Sequence, residues 1–253
     1  MTSNVEDEIV PATDPLEGVP PLVTKQLTEE DDKIAALKLI ADSIAQQRQI
    51  ASRIVIFHPI TLAAYFLILA VASQFIYKTR SDIGIMATTT AGITMACLIA
   101  TRALTSGYLT LAEEFNWKFA TNEDGEEDII VGSRYGEEIM GALILRLERN
   151  GNGSGKKKTK SAKTGGKGVV RAWTVRLRYR GKGVGTELLE EAVRIAREKL
   201  GNSAEIGFAA EHANSKMILP ETFNASFRKR EARAAKALEN VVESMDTGSK
   251  KKR

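Results

Sequence analysis

The sequence predicts an α/β domain, a mixed β-sheet flanked by helices, preceded by a helical hairpin long enough to cross a membrane. Three observations carry this. Two long uncharged runs, Ile54–Tyr77 and Ile83–Thr101, are separated only by Lys78–Asp82. Short apolar and β-branched segments recur after them. Between the last long one of these and a strongly amphipathic helix lies Arg180-Gly181-Lys182-Gly183-Val184-Gly185.

The first run holds 24 residues, about 36 Å of helix at 1.5 Å per residue, enough to cross a bilayer. The second holds 19 residues and can extend through Ala103–Gly107. So short a loop makes two long helices run antiparallel. The first run is apolar around its whole circumference, which favours lipid over the alternative, a hairpin buried in a soluble bundle. His58-Pro59 marks a kink or a helix start near its beginning. Gly84, Thr88, Gly92, Ala96 and Ala100 form a stripe of small residues that lets helix backbones approach closely in lipid. Arg48, Arg53 and Arg102 flank the ends, against Lys78 and Arg80 in the loop, which leans toward cytosolic termini.

Residues 1–28 carry four of the six prolines and many acids, and read as a disordered arm. Residues 29–53 read as an amphipathic helix, with Ile34, Leu37, Ala41 and Ile44 on one face. The hairpin occupies 54–104 and a folded domain 105–245. In that domain a helix runs from Tyr108 to Trp117, and Ile129–Ser133 with Ile139–Leu147 read as a β-hairpin. A Gly/Ser/Lys insertion at 150–168 is flexible by composition and lacks the spacing of a phosphate-binding P-loop. Val169–Leu177 reads as a strand, Thr186–Leu200 as a helix, Ala204–Ala210 as a strand parallel to the first, and 225–244 as a final helix. Residues 246–253 are a basic tail.

The formal charge of +4 sits in two segments. Six lysines lie between residues 151 and 168, four basic residues end the chain, and the remainder is net acidic. This argues against specific nucleic-acid binding. The single cysteine, Cys97, excludes an internal disulfide and a cysteine metal cluster, and no metal site is expected. In its apolar run Cys97 reads as an inert thiol.

The glycine-bearing loop has the composition of an anion site. At a helix N-terminus the first amides lack partners and the helix dipole is positive, so a pyrophosphate is the expected guest. Gly-x-Gly-x-Gly is not the dinucleotide-binding Gly-x-Gly-x-x-Gly, and no βαβ start precedes it. Val175 to Ile195 resembles the acetyl-coenzyme A motif of the GNAT N-acetyltransferase superfamily. Arg180, Gly183 and Gly185 occupy the three defining positions of its (Gln/Arg)-x-x-Gly-x-(Gly/Ala) pattern. Gly141 stands where that family often has a glycine in its third strand. The resemblance implies a splayed sheet with the thioester in the gap. It also implies acetyl-CoA held by Arg180, Gly181, Lys182, Gly183, Val184, Gly185 and Thr186, and a pantetheine arm paired with backbone at Val175 and Leu177. A hydrophobic hairpin before such a domain is similar to membrane-anchored acetyltransferases of the endoplasmic reticulum, which implies an endomembrane location.

The reaction implied is direct attack of an amine on the thioester. The acceptor would be a protein lysine, a chain N-terminus or a small molecule, and the sequence does not name it. Catalytic candidates are Glu211, His212 and Asn214. Asn214 fits the family's asparagine after the fifth strand, but Ser215 to Phe223 holds no tyrosine where the family often has one in a helix. A second reading is a membrane adaptor on an inactive GNAT scaffold that docks acidic partners through its lysines. A third is nuclear import through Lys250 to Arg253. Asn152 and Asn224 lie in glycosylation acceptor sequences that would report topology.

Overall fold

The computed structural model describes residues 21–121, 125–149 and 165–250. Most of the lysine-rich insertion, the first 20 residues and the last three lie outside the described residues. Among the described residues the sheet has five strands in chain order: β1 (Leu22–Gln26), β2 (Ile129–Tyr135), β3 (Glu138–Arg149), β4 (Gly166–Val175) and β5 (Glu205–Phe208). β1 to β4 are antiparallel neighbours, whereas β4 and β5 are parallel. A parallel pair needs a crossover, and α5 (Val184–Leu200) supplies it.

Both faces of this mixed sheet are covered. Val131, Leu143, Leu145 and Val170 pack on α5, while Ile130, Ala142, Ile144 and Ala172 pack on α1 (Glu30–Ile56). Burial on both faces explains why β3 reads as a nearly unbroken apolar run. Gly141 lets β3 approach α5, for a Cβ there would stand 2.7 Å from Leu188 Cδ1. α6 (Ala225–Lys250) lies against α5 through Leu238 and Val241.

Three sequence expectations change. The 1–28 arm ends in a strand: Leu22–Gln26 is the edge strand β1, tied to β2 by Thr24 Oγ1 and Ser133 Oγ at 2.8 Å. The first apolar run is not one helix. α1 continues through Ile56 and stops at Phe57, and α2 starts at Pro59 and ends at Ile76. The cause is local. Proline disfavours helical backbone at the residue before it, so His58 turns extended (ψ 136°), and its Nδ1 accepts the Ile60 amide at 3.3 Å. The span is therefore 18 residues, about 27 Å. Finally, the insertion ends earlier than residue 168, because β4 begins at Gly166.

α3 (Ile83–Leu104) returns antiparallel to α2, after a turn in which the Asp82 carboxylate accepts the Lys78 and Thr79 amides. No residue of α2 is buried, and in α3 only Thr101 is. Both helices are long and apolar enough to cross a membrane. Tyr65 Oη and Thr94 Oγ1 join them at 2.8 Å. The small-residue stripe lies on exposed positions, with nothing within 4 Å of a Cβ at Gly84 or Gly92. It is therefore not the α2–α3 contact. α4 (Gly107–Glu114) then brings Tyr108 into a buried cluster with Ala51, Val55, Leu219 and Phe227, which seats the root of the hairpin on the domain. Asn224 is 4% exposed and its Nδ2 donates to Leu219 O at 2.9 Å, so its acceptor sequence is not available to a glycan. Asn152 lies outside the described residues.

Candidate active site

Where β4 outruns β5 the sheet opens. Ile144 opposes Ala172 and Leu145 opposes Val170, so Arg171 is a bulge residue. The chain after β5 holds β4 twice more, through Ala209 N to Val170 O (2.9 Å) and Ala213 N to Arg171 O (2.8 Å). Beyond that, Trp173–Val175 run on without β5 beside them. Bulges of this kind commonly end pairing next to functional clefts. A cleft of about 360 Å³ lies here, between α1, the end of β4, the glycine loop, the segment after β5 and α6.

The glycine loop forms one wall. Gly183 caps α5 with φ +89°, a left-handed conformation that side chains resist. Its carbonyl accepts the Thr186 and Glu187 amides at 2.8 and 3.1 Å, so the Thr186 amide is committed to the helix. The preceding amides head α5, where an anion is favoured by unpaired N–H groups and by the dipole. Trp173 Nε1 donates to Gly185 O at 3.1 Å, and a Cβ on Gly185 would stand 2.9 Å from the indole. Glycine is required there by close approach.

Of the expected carrier-binding residues, Val175, Arg180, Gly181 and Gly185 line the cleft. Gly183 stands at the head of α5 and Val184 is buried beneath it, with only backbone to offer. Lys182 is exposed, its Nζ 5.7 Å from the Tyr179 ring centroid. Leu177 departs from the expectation. β4 ends at Val175, and Leu177–Tyr179 is a single 3₁₀ turn with the Leu177 side chain 60% exposed. Its amide is thus not on a strand beside the cleft, and the Val175 carbonyl already accepts Arg180 Nε at 2.8 Å.

Among the catalytic candidates, His212 and Asn214 line the cleft, whereas exposed Glu211 does not. Asn214 Oδ1 accepts Gln47 Nε2 at 2.8 Å, and its backbone carbonyl accepts the same group at 3.1 Å, so it ties the segment after β5 to α1. No α-helix follows β5 before α6; one 3₁₀ turn, Glu221–Phe223, interrupts the segment. The helix implied by the resemblance is absent there, along with its tyrosine. His212 Nδ1 accepts the Asn214 amide at 3.3 Å, which places the proton of the neutral ring on Nε2. Nε2 lies 3.7 Å from Glu231 Oε1, wider than a hydrogen bond.

Burial pushes the His212 pKa below its ordinary 6.5, and Glu231 opposes this in part. The sign follows directly. Below about 6.5 the unfolded chain binds the proton more readily than the native one, so stability falls as pH drops through that value. The loss is complete once the native imidazole is protonated too. His212→Gln is expected to flatten the change in denaturant midpoint between about pH 7.5 and about pH 5. An unaltered slope would place the acid sensitivity elsewhere.

The sequence pointed to neither Arg230 nor Glu231, both on α6 and both lining the cleft. Arg180 has its pKa lowered by burial first and by Arg230 second, so the two guanidiniums feel each other. Neither pairs with a carboxylate among the described residues. Two such cations beside a helix N-terminus give this end of the cleft a positive potential.

Residues 98–218 match the model of the acetyltransferase (GNAT) family. The matched segment runs from the end of α3, through β2 to β5 and the glycine loop, and stops before α6. This segment thus carries a GNAT acetyltransferase pattern over four of the five described strands. Among solved structures, one similar chain is an aminoglycoside acetyltransferase from an uncultured soil metagenomic sample, in complex with sisomicin. It shares 10% identity over 87% of this chain and 90% of that one, with a TM-score of 0.38. Another is a transcriptional regulator from Bacillus halodurans, with 10% identity over 75% and 83% and a TM-score of 0.29. At these scores neither likeness bears on the chemistry of this chain. No curated protein matches it.

Proposed function

We propose that this chain is an acetyl-CoA-dependent N-acetyltransferase, anchored in a membrane by α2 and α3, that transfers acetyl to an amine by direct attack. The observation that carries this is the convergence, in one cleft, of the head of α5, the β4 edge uncovered by β5, and two guanidiniums without carboxylate partners among the described residues. The residues fit the group: the loop has an open anion end, and no Cβ crowds it at Gly181 or Gly183. The α5 amides with Arg180 and Arg230 would hold the diphosphate. The edge of Trp173–Val175 would receive the pantetheine arm as an added strand. Acetyl-CoA supplies an activated acetyl thioester. The chain contributes orientation, a largely apolar wall, and neutral His212 beside Glu231. The hairpin reading rests on two helices with almost no buried residue.

Titration calorimetry of the detergent-solubilised protein with coenzyme A tests the carrier site. Arg230→Gln is expected to weaken binding by about tenfold, the usual order for one charge-assisted hydrogen bond. Saturable binding without acetyl transfer to any of a panel of amines would favour the adaptor reading. That reading draws on the missing tyrosine and on the Asn214 side chain being bound to α1. Recovery of the protein in the soluble fraction after expression would reject the anchor.

A further inference from the structure

Among the described residues that line the cleft, Glu231 is the one carboxylate. It lines the cleft from α6, one residue after Arg230. It forms no ion pair with a lysine or arginine among the described residues, and the His212 ring is 3.7 Å away. His212 is held neutral by burial and by the hydrogen bond its Nδ1 accepts. Glu231 therefore stands at the cleft with its side chain 37% exposed and without a fixed cationic partner. Ile50, Met217 and Phe227 line the same cleft and belong to the cluster that seats the hairpin root beside Val55 and Tyr108. Ile50 precedes the first residue of α2 by nine positions. Apolar surface next to an unmatched carboxylate recognises a cation with an apolar body.

We infer that the acceptor is a primary alkylamine bound as its ammonium on Glu231, with its apolar body along Ile50, Met217 and Phe227. The inference rests on the acetyl-transfer reading for the identity of the second substrate, though the binding it describes does not require turnover. Arg180 and Arg230 would repel such a cation until a diphosphate offsets them, so the amine binds after the carrier. A hydrophilic amine finds the carboxylate but nothing for its body, and the corresponding alcohol finds the wall but no ion pair.

Binding is measured by calorimetry on the full chain in detergent, with hexylamine, hexanol and free lysine as probes. Each is titrated with and without coenzyme A, which cannot react. Hexylamine is expected to bind in the presence of coenzyme A, more tightly than either hexanol or lysine. Glu231→Gln is expected to weaken hexylamine about tenfold while leaving hexanol and coenzyme A unchanged, and Glu231→Asp to recover part of the loss. Unchanged hexylamine affinity in Glu231→Gln overturns the inference, as does equal weakening of amine and alcohol, or failure of the wild type to bind the amine. Hexylamine binding that depends on Glu231 but leads to no acetylation, once acetyl-CoA replaces coenzyme A, sinks the acetyl-transfer reading and leaves the ammonium site standing.

Discussion

Gly183→Asp is expected to lower coenzyme A affinity by about a hundredfold or more while the fold survives. Three contributions add. The aspartate carboxylate would stand at the head of α5, where a diphosphate is proposed to sit, and like charges repel strongly in a partly enclosed cleft. Its side chain can accept hydrogen bonds from the first amides of the helix, as residues at this position commonly do, and so remove donors from the ligand. Its volume also enters space that is empty around Gly183, where a Cβ would meet nothing within 4 Å. Stability changes far less. The φ of +89° is unfavourable for a side chain, but aspartate tolerates left-handed backbone better than most residues, and a carboxylate at a helix N-terminus offsets part of the strain. A hundredfold loss corresponds to about 2.7 kcal/mol. Calorimetric titration of wild type and variant, with a thermal unfolding curve for each, separates the two effects. Wild-type affinity in a folded Gly183→Asp protein would remove the diphosphate from this end of α5 and with it the main support for the proposed carrier site.

The parts of this molecule that were legible in its sequence are those written in local pattern. α5 alternates apolar and charged residues at helical spacing, and Leu188, Leu189, Ala192, Ile195 and Ala196 are all buried. The glycine loop announces itself because a helix start with open amides needs glycine at fixed offsets. The apolar runs are visible as composition, but their break is a matter of one residue pair: His58-Pro59 admits both a kink and a start, and the extended His58 selects the start. β1 was hidden by its setting. Leu22-Val-Thr-Lys-Gln follows prolines and precedes a run of acids, and only pairing with β2 from more than a hundred residues away makes it a strand.

The side of the cleft formed by α1, the loop after β5 and α6 was least legible because it is assembled from distant segments. Gln47 and Ile50 lie on the helix that ends at the hairpin, Asn214 and Met217 in an irregular loop, and Arg230 and Glu231 in a helix with charge along most of its length. Nothing in Arg228-Lys-Arg-Glu-Ala-Arg distinguishes the two residues that line the cleft. Their significance comes from the loop after β5, which has no helix of its own and leaves α6 to close the cleft. The resemblance pointed instead to Leu177, and the need for an acid or base to Glu211, each only a few positions from a residue that does line the cleft. β4 ends at Val175, two residues short of Leu177, and neither that end nor the bulge at Arg171 has a sequence signature.

That bulge is held by charge, and breaking its anchor is expected to have the largest effect on stability. Asp128 is buried, its side chain 4% exposed. It accepts Arg146 Nε and Nη2 at 2.8 and 3.1 Å and Arg171 Nη1 at 2.6 Å. Arg171 also donates to the Phe119 carbonyl and stacks 4.3 Å from that ring centroid, so both its charge and its plane are fixed. Asp128→Ala leaves two guanidiniums, each mostly buried, with no carboxylate between them. Loss of one partner of a buried ion pair costs about 3–5 kcal/mol. Domains are commonly stable by only about 5–15 kcal/mol, so much of the folded population is at risk. Guanidinium chloride unfolding of wild type and Asp128→Ala measures the cost. In a triple variant, Asp128→Leu, Arg146→Met and Arg171→Leu, the charges vanish together, and it should recover a large part of the loss, because the penalty lies in the unpaired cations rather than in the absent bonds. A cost under about 1 kcal/mol for Asp128→Ala would mean that water screens the cluster as it does a surface pair. Were the triple variant no better than the single one, the hydrogen bonds to Phe119 and Thr121 would be what holds the bulge, and with it the opening of the sheet at Trp173.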